Sequence, residues 1–151
     1  MESQLWIHLA GRKSISHNDG NMKRMKREIL FKGKSVNTGE WVESMTIANG
    51  TIKRKRDDVF MEIGENKWVG IVASSLSQFI NSKDKNGKKI FEGDFDNDGN
   101  CVVWCDNCNG FEFAQLDVPT KDICIPCHRC DGNFFFGDHI KDFEIVGNVA
   151  D

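Results

Sequence analysis

The sequence lacks any apolar run long enough to cross a membrane. Its longest apolar stretches, such as residues 68–73, are far shorter than the roughly 20 residues that a membrane-spanning helix needs. It also lacks an excess of positive charge, because 20 lysine and arginine residues stand against 23 aspartate and glutamate residues, a net charge of −3. We therefore expect neither a membrane protein nor an overall basic field that would draw the molecule onto nucleic acid.

The amino-terminal region carries no recognisable secretion signal. Its apolar patch at residues 5–7 lies between Glu2 and His8 and has no small-residue cleavage site after it. This predicts a cytoplasmic protein. Residues 1–27 hold six basic and two acidic residues, which leaves −7 on the remainder. Because residues 11–21 are rich in Ser, Asn, Asp and Gly, we predict a basic, disordered leader at residues 1–24.

A sustained helical period is missing from the rest of the chain. Short patches of period two recur instead, separated by turn residues, and only Leu76, Phe79 and Ile80 have the spacing of a single helical turn. The predicted strands cover residues 29–31 (ended by Gly33), 41–47, 59–63, 68–72, 88–91, 101–104, 111–116, 133–136 and 143–149. The polar turn at residues 64–67 predicts a hairpin of the strands around it, and Asn86-Gly87 predicts a tight turn. This pattern predicts a mainly β fold of short antiparallel strands, with Trp41, Trp68 and Trp104 in the core.

Three blocks of sequence resemble YopX-type proteins, which phages and prophages carry. The blocks are Arg27-Glu28-Ile29-Leu30-Phe31-Lys32-Gly33-Lys34 with Gly39-Glu40-Trp41-Val42, then Lys83-Asp84-Lys85-Asn86-Gly87-Lys88-Lys89-Ile90-Phe91-Glu92-Gly93-Asp94, and finally Glu144-Ile145-Val146-Gly147-Asn148. The resemblance implies a β-rich fold with an SH3-like small barrel in the carboxy-terminal half, and it supplies no catalytic residue. We predict an N-terminal β subdomain at residues 25–80 and the barrel at residues 81–151, with a zinc-binding insertion at residues 101–132.

All six cysteines lie between residues 101 and 130, a density that requires a joint explanation. Two segments repeat the same pattern of two cysteines three apart, then a polar residue, a glycine and a nearby phenylalanine. Each is typical of a zinc knuckle, in which a tight turn presents two thiolates and the glycine allows the backbone to approach the sulfurs. The sequence therefore predicts a zinc-knuckle hairpin with structural zinc on Cys105, Cys108, Cys127 and Cys130.

Other uses of these cysteines stay open at this point. Cys124 also forms a CxxC pair with Cys127, and His128 can replace a thiolate in the ligand set. Cys101 is better explained as a small packed residue. Disulfides are an alternative, although an intracellular chain usually keeps its thiols reduced. A redox CxxC pair lacks the βαβ context that such motifs occupy.

Catalytic zinc is a further hypothesis, because residues 126–130 match the P-C-x-x-C half of the zinc deaminase signature. The other half, a His-x-Glu or Cys-x-Glu segment upstream, is missing from the sequence. The chain thus lacks the carboxylate that moves protons to a zinc-bound water, and four thiolates leave no open coordination position. We predict no enzymatic activity and no catalytic residue.

Three remaining motifs have ordinary interpretations that we prefer. Residues 94–99 reproduce the front of an EF-hand loop, but its twelfth position is Cys105 rather than glutamate, which favours a solvated acidic turn. The basic run at residues 53–56 is followed by two aspartates, which favours a charged loop. Residues 134–136 are three phenylalanines, for which core packing is preferred over a base-stacking platform.

The predicted function follows from the acidic body and the phage resemblance. We expect a non-enzymatic accessory protein in the cytoplasm of the host cell, which binds a protein partner such as a host enzyme or a defence factor. The alternative is a nucleic-acid-binding zinc-ribbon protein, acting through the leader, residues 53–56 and the zinc hairpin.

Overall fold

The computed structural model describes residues 27–49, 59–115, 127, 130 and 140–151. Within these residues the protein is mainly β, as predicted, and every strand pairing is antiparallel. The strands are β1 Phe31–Lys34, β2 Trp41–Ser44, β3 Ile47–Asn49, β4 Val59–Glu62, β5 Trp68–Ile71, β6 Ser77–Lys83, β7 Lys89–Phe91, β8 Asp94–Phe95, β9 Asn100–Cys105, β10 Gly110–Gln115 and β11 Gly147–Asn148, with one 3-10 turn, η1, at Ala73–Ser75. The predicted leader and the predicted strand at residues 133–136 lie outside the described residues.

The strands form three short sheets. Their orders are β2-β1-β6-β7, β10-β9-β8-β11 and β3-β4-β5. The β4–β5 hairpin and the tight turn at Asn86-Gly87 before β7 confirm the local predictions. The predicted strands at residues 101–104 and 111–116 are present as β9 and β10, which pair with each other in a further hairpin. The SH3-like barrel in the carboxy-terminal half and the boundary between two subdomains at residues 80 and 81 stay predictions. No helix among the described residues combines the length and the apolar character needed to span a membrane.

The first predicted strand was placed too early, and Gly33 does not end it. Gly33 lies inside β1, opposite Val42 of β2. A Cβ atom at this position would meet Cγ2 of Ile71 at 2.4 Å, so the missing side chain lets β1 lie directly against β5. A glycine that looks like a strand terminator in sequence therefore marks a close approach of two strands.

The predicted strand at residues 41–47 is two strands in two different sheets. The chain turns after β2, where the hydroxyl of buried Ser44 donates to the carbonyl of Glu62 and accepts from the backbone N–H of Thr46, and Met45 is 73% exposed. The predicted helical turn at Leu76, Phe79 and Ile80 was also wrong, since Phe79 and Ile80 belong to β6. In both places long-range pairing, which the local pattern does not contain, decides the structure.

Among the residues that the structure describes, the buried apolar side chains form four clusters, two of which enclose β9. Val102 faces a cluster with Ile90, Phe113 and Phe143, while Cys101 and Val103 face Ala114 on the opposite side. The remaining clusters are Leu30, Phe79 and Phe91, and Val59, Met61 and Ile71. The central part of β9 is therefore buried on both faces. This burial fixes the strand that leads into the first pair of cysteines.

The tryptophans do not fill this core, and that prediction was wrong. Trp68 is 44% exposed and Trp104 is 48% exposed, and they lie at the first position of β5 and the last but one position of β9. Trp41 is half-buried, with the ammonium group of Lys32 at 4.6 Å from its ring centroid. Aliphatic and phenylalanine side chains supply the buried volume instead.

The buried carboxylate of Asp94 in β8 connects strands from distant parts of the chain, namely β1, β7 and β11. Asp94 is completely buried, and its Oδ1 accepts from Nζ of Lys32 at 2.9 Å and from Nδ2 of Asn148 at 2.8 Å. Its Oδ2 accepts from the backbone N–H of Phe91 at 2.8 Å. The prediction that Asp94 belongs to a solvated turn was therefore wrong. The charge is instead satisfied by hydrogen bonds, as a buried carboxylate requires.

Candidate metal centre

The β9–β10 hairpin positions the first two cysteines. Cys105 is the last residue of β9 and pairs with Gly110 of β10, while Cys108 lies in the connecting turn. The turn closes through Asn109, whose φ of 51° lies in the left-handed region that asparagine tolerates better than most side chains. In this hairpin the left-handed conformation therefore belongs to Asn109 and not to the following Gly110, to which the sequence analysis assigned the special backbone role.

Four sulfur atoms converge at the tip of this hairpin. The Sγ atom of Cys108 lies 3.5 Å from that of Cys127 and 3.6 Å from that of Cys130, and the Cys105 and Cys130 sulfurs are 3.6 Å apart. All four ligand atoms lie within 4.8 Å of one another. Four sulfurs around one zinc ion at about 2.3 Å would be about 3.8 Å apart in a regular tetrahedron. The observed spacing therefore fits a single metal ion of this size.

Both CxxC segments direct a backbone amide at a sulfur. The N–H of Cys130 donates to Sγ of Cys127 at 3.4 Å, and the backbone of Cys108 makes the corresponding hydrogen bond to the sulfur of Cys105. The side-chain amide of Asn107 adds a longer contact, 3.9 Å from the sulfur of Cys130. Such donors stabilise negative charge on sulfur, which is the form that binds a metal.

The acidities of the thiols indicate how the four sulfurs share charge. Desolvation raises the pKa of Cys105, but the hydrogen bonds from the Cys108 backbone and from the other three thiols outweigh it and lower that pKa to about 7. Desolvation first, and then the neighbouring thiols, raise the pKa of Cys108. Desolvation is also the main cause that raises the pKa of Cys127. The thiolate form is thus favoured at Cys105 and disfavoured at Cys108 and Cys127, and a bound cation would favour it at both of the latter.

The structure brings together the four cysteines that the sequence singled out and separates them from Cys101. Cys101 is buried against Val103 and Ala114, as expected of a packed residue. The sulfur separations of 3.5 and 3.6 Å far exceed the roughly 2.05 Å of a disulfide bond, so the four sulfurs are not bridged. The alternative ligands, Cys124 and His128, lie outside the described residues.

The loop resembling an EF-hand does not form a second centre. Asp94 is committed to its buried hydrogen bonds, and Asp96 accepts from the backbone N–H groups of Asp98 and Asn100 within the β8–β9 turn. Among the residues that the structure describes, the four cysteines are the one group of three or more suitable side chains that could hold a metal ion. Residues 53–56 and 134–136 lie outside the described part of the chain.

The hairpin that carries Cys105 and Cys108 also contains an aromatic pair, which the sequence analysis did not predict. Trp104, which precedes Cys105, packs edge-on against Phe111 across the hairpin with ring centroids 5.2 Å apart. Its indole N–H donates to Oδ1 of Asp106 at 3.0 Å. The available signal was the cross-strand register, because a short turn at residues 106–109 necessarily places residues 104 and 111 opposite each other.

Comparison with known proteins gives no relative for this chain. No protein-family model matches the sequence, and no curated protein matches it. The resemblance to YopX-type proteins therefore remains a prediction, and the site must be interpreted from its own chemistry.

Proposed function

We propose that this chain is a non-enzymatic, YopX-type phage accessory protein that binds a protein partner in the cytoplasm of the host cell and is stabilised by one structural zinc ion. A host enzyme or a defence factor is the kind of partner we propose. The carrying observation is the cluster of four sulfurs at the tip of a hairpin that also carries the exposed Trp104. Structural zinc sites with four cysteines are tetrahedral and closed, so the ion adds folding energy without offering a position to a substrate.

The metal assignment is supported by the donor set and by its surroundings. Four thiolates favour zinc over calcium or magnesium, which prefer oxygen ligands. When bound, zinc would cross-link the β9–β10 turn to the second cysteine pair. Cys105 and Cys108 would hold it from the hairpin, and Cys127 and Cys130 would hold it from the second segment. Residues 106–109 otherwise contribute no buried side chain to the core, which makes such a cross-link valuable for local order.

The family proposal is supported by contacts between the three blocks that carry the resemblance. Lys32 comes from the first block, Asp94 from the second and Asn148 from the third, and they meet in one hydrogen-bonded network. The second and third blocks also meet where the backbone N–H of Ile145 donates to Asp84. One buried polar network thus connects residues of all three blocks, although Lys32 and Asn148 lie 116 positions apart in the sequence.

Protein binding is favoured over nucleic-acid binding by charge and by exposed aromatic surface. Trp104 is close to half exposed, and tryptophan is over-represented at the energetic centres of protein interfaces. Residues 90–115 contain six acidic residues, of which only Asp94 and Glu112 are buried, and no lysine, arginine or histidine. Such a surface repels phosphates.

Two measurements test the proposal. Elemental analysis of the purified chain should give about one zinc per molecule, and none after Cys108 and Cys127 are both replaced by serine. Tagged protein expressed in a phage host should then capture the same partner protein with and without nuclease treatment. A chain without stoichiometric zinc would contradict the metal assignment. Capture that disappears with nuclease would instead support the nucleic-acid alternative.

A further inference from the structure

The surface formed by Trp104, Phe111 and Asp106, here called the tryptophan surface, carries a more specific inference. Trp104 is 48% exposed, yet its ring is fixed from two sides by the edge-on contact with Phe111 and by the hydrogen bond to Asp106. The carboxylate of Asp106 occupies the indole N–H, and about half of the Trp104 surface still stays open to solvent. A rigid, exposed indole with a fixed carboxylate at its edge is preorganised for binding.

The described residues of this hairpin carry only negative formal charge. Residues 100–115 contain the exposed Asp106 and the buried Glu112, and no lysine, arginine or histidine. A divalent ion held by four thiolates contributes about −2 more. Asp106, which holds the indole, follows directly after one of these thiolates. The electrostatic field at the exposed ring therefore attracts cations and disfavours phosphate groups.

We propose that the tryptophan surface binds an arginine-bearing segment of the partner protein, with a guanidinium group over the face of Trp104 and a hydrogen bond to Asp106. Arginine fits both features, because its planar group stacks on aromatic rings and its N–H groups pair with a carboxylate. The inference rests on the proposed protein-binding function and specifies the partner chemistry. Zinc acts in it by fixing Asp106 and adding negative charge, not by contacting the ligand.

The test uses the full zinc-loaded chain and a fluorescein-labelled dodecapeptide of alternating arginine and serine. Fluorescence anisotropy should show saturable binding, and the same peptide with glutamate in place of arginine should not bind. Replacing Trp104→Ala should weaken binding roughly five- to thirty-fold, the range expected for a partly desolvated cation–π contact. Trp68→Ala is the matched control, because it removes the other exposed strand tryptophan and should leave affinity unchanged.

A second variant keeps the test decisive if Trp104→Ala folds poorly. Asp106→Lys leaves the aromatic pair in place and reverses one exposed charge, and it should weaken binding roughly tenfold while zinc content stays at one per chain. Unchanged affinity in both variants would overturn the proposal, as would failure of the wild-type chain to bind the peptide. Trp104-dependent binding of an oligonucleotide, or Trp104-dependent self-association, would assign the surface to nucleic acid or to a second copy and would also overturn it.

The outcomes separate this inference from the function on which it rests. A zinc-loaded chain that captures its partner equally well after Trp104→Ala keeps the proposed function and rejects the tryptophan surface. Absence of zinc or nuclease-sensitive capture rejects the proposed function whatever the peptide does.

Discussion

The two ends of the β8–β9 region are stabilised by different chemistry. At the β8 end, Asp94 is completely buried and satisfied by Lys32, Asn148 and a backbone amide. At the far end of β9, Cys130 and Trp104 are exposed, and the four sulfurs form the main contact between the two cysteine pairs. The difference shows that a short sheet can be anchored by a buried polar network where apolar layers cover it. At the opposite end, we propose that the zinc ion provides the corresponding anchor.

Loss of one sulfur should produce the largest effect and should be confined to one end. We expect Cys105→Ser to abolish stoichiometric zinc binding and to remove amide-exchange protection at residues 105–111, because zinc ligation supplies about 10–16 kcal/mol of apparent binding energy in small zinc domains. Protection in β1 to β5 should persist, since those strands rest on an apolar cluster that contains no residue of β9 or β10. Hydrogen exchange measured by mass spectrometry, together with zinc analysis, checks both parts.

Cys101→Ser is the matched control for that experiment. It places a hydroxyl in the cluster around Val103 and Ala114, so it should lower global stability by about 1–3 kcal/mol while zinc content stays unchanged. Equal loss of zinc in the two variants would contradict the assignment of the ligands.

Asp94→Ala should act in the opposite way, on the whole molecule and not on the metal. It leaves the ammonium group of Lys32 in a site where its side chain is only 15% exposed, and breaking a buried pair in this way typically costs about 3–5 kcal/mol. Urea denaturation should show this loss at every probe. The double variant Lys32→Met with Asp94→Ala should recover part of it. A loss below about 1 kcal/mol in the single variant would show that the network contributes little to stability.

A smaller effect is expected at the contact between β1 and β5. Gly33→Ala would place a methyl group at 2.4 Å from Cγ2 of Ile71, so one strand must shift, at a cost of about 1–3 kcal/mol. Gly64→Ala is the control, because nothing lies within 4 Å of a Cβ atom there, and its stability should stay equal or rise slightly. Thermal unfolding of the two variants makes the comparison. Equal midpoints would mean that the strands are not in close contact.

The sequence predicted those parts of the molecule that are encoded locally. Three such features depend on residues only a few positions apart: the Asn86-Gly87 turn, the β4–β5 hairpin and the two CxxC pairs. The structure contains all three. The four sulfurs were predictable because the two pairs repeat a common pattern. The repeated pattern suggested that the two pairs share one metal ion, but it does not specify how the chain between them folds to bring the pairs together.

The failures have one common physical cause, which is pairing between distant residues. Asp94 looked like part of an acidic turn because its partners, Lys32 and Asn148, lie 62 and 54 positions away. Gly33 looked like a terminator because Ile71 is distant in sequence. The exposure of Trp104 depends on how other parts of the chain pack around the end of β9, and the residue pattern within β9 does not predict this. Tertiary context therefore overrode local preference at these positions.

The smallest predicted effect concerns Asp151 and depends on pH. Partial desolvation raises the pKa of its carboxyl, but hydrogen bonds from the Asn148 backbone, the Trp41 indole and Lys34 outweigh it and hold that pKa below 3.8. A lowered folded-state pKa gives stability that is present above the unfolded value and is lost as the pH falls through the folded value. Asp151→Asn should therefore cost a few tenths of a kcal/mol, roughly, at pH 7, because the carboxylate is half exposed, and progressively less below about pH 4. Urea unfolding at pH 7, 5 and 3, with Asp98→Asn as the exposed control, measures this difference. A gap between Asp151→Asn and wild type that is constant with pH would assign the effect to lost packing and not to charge.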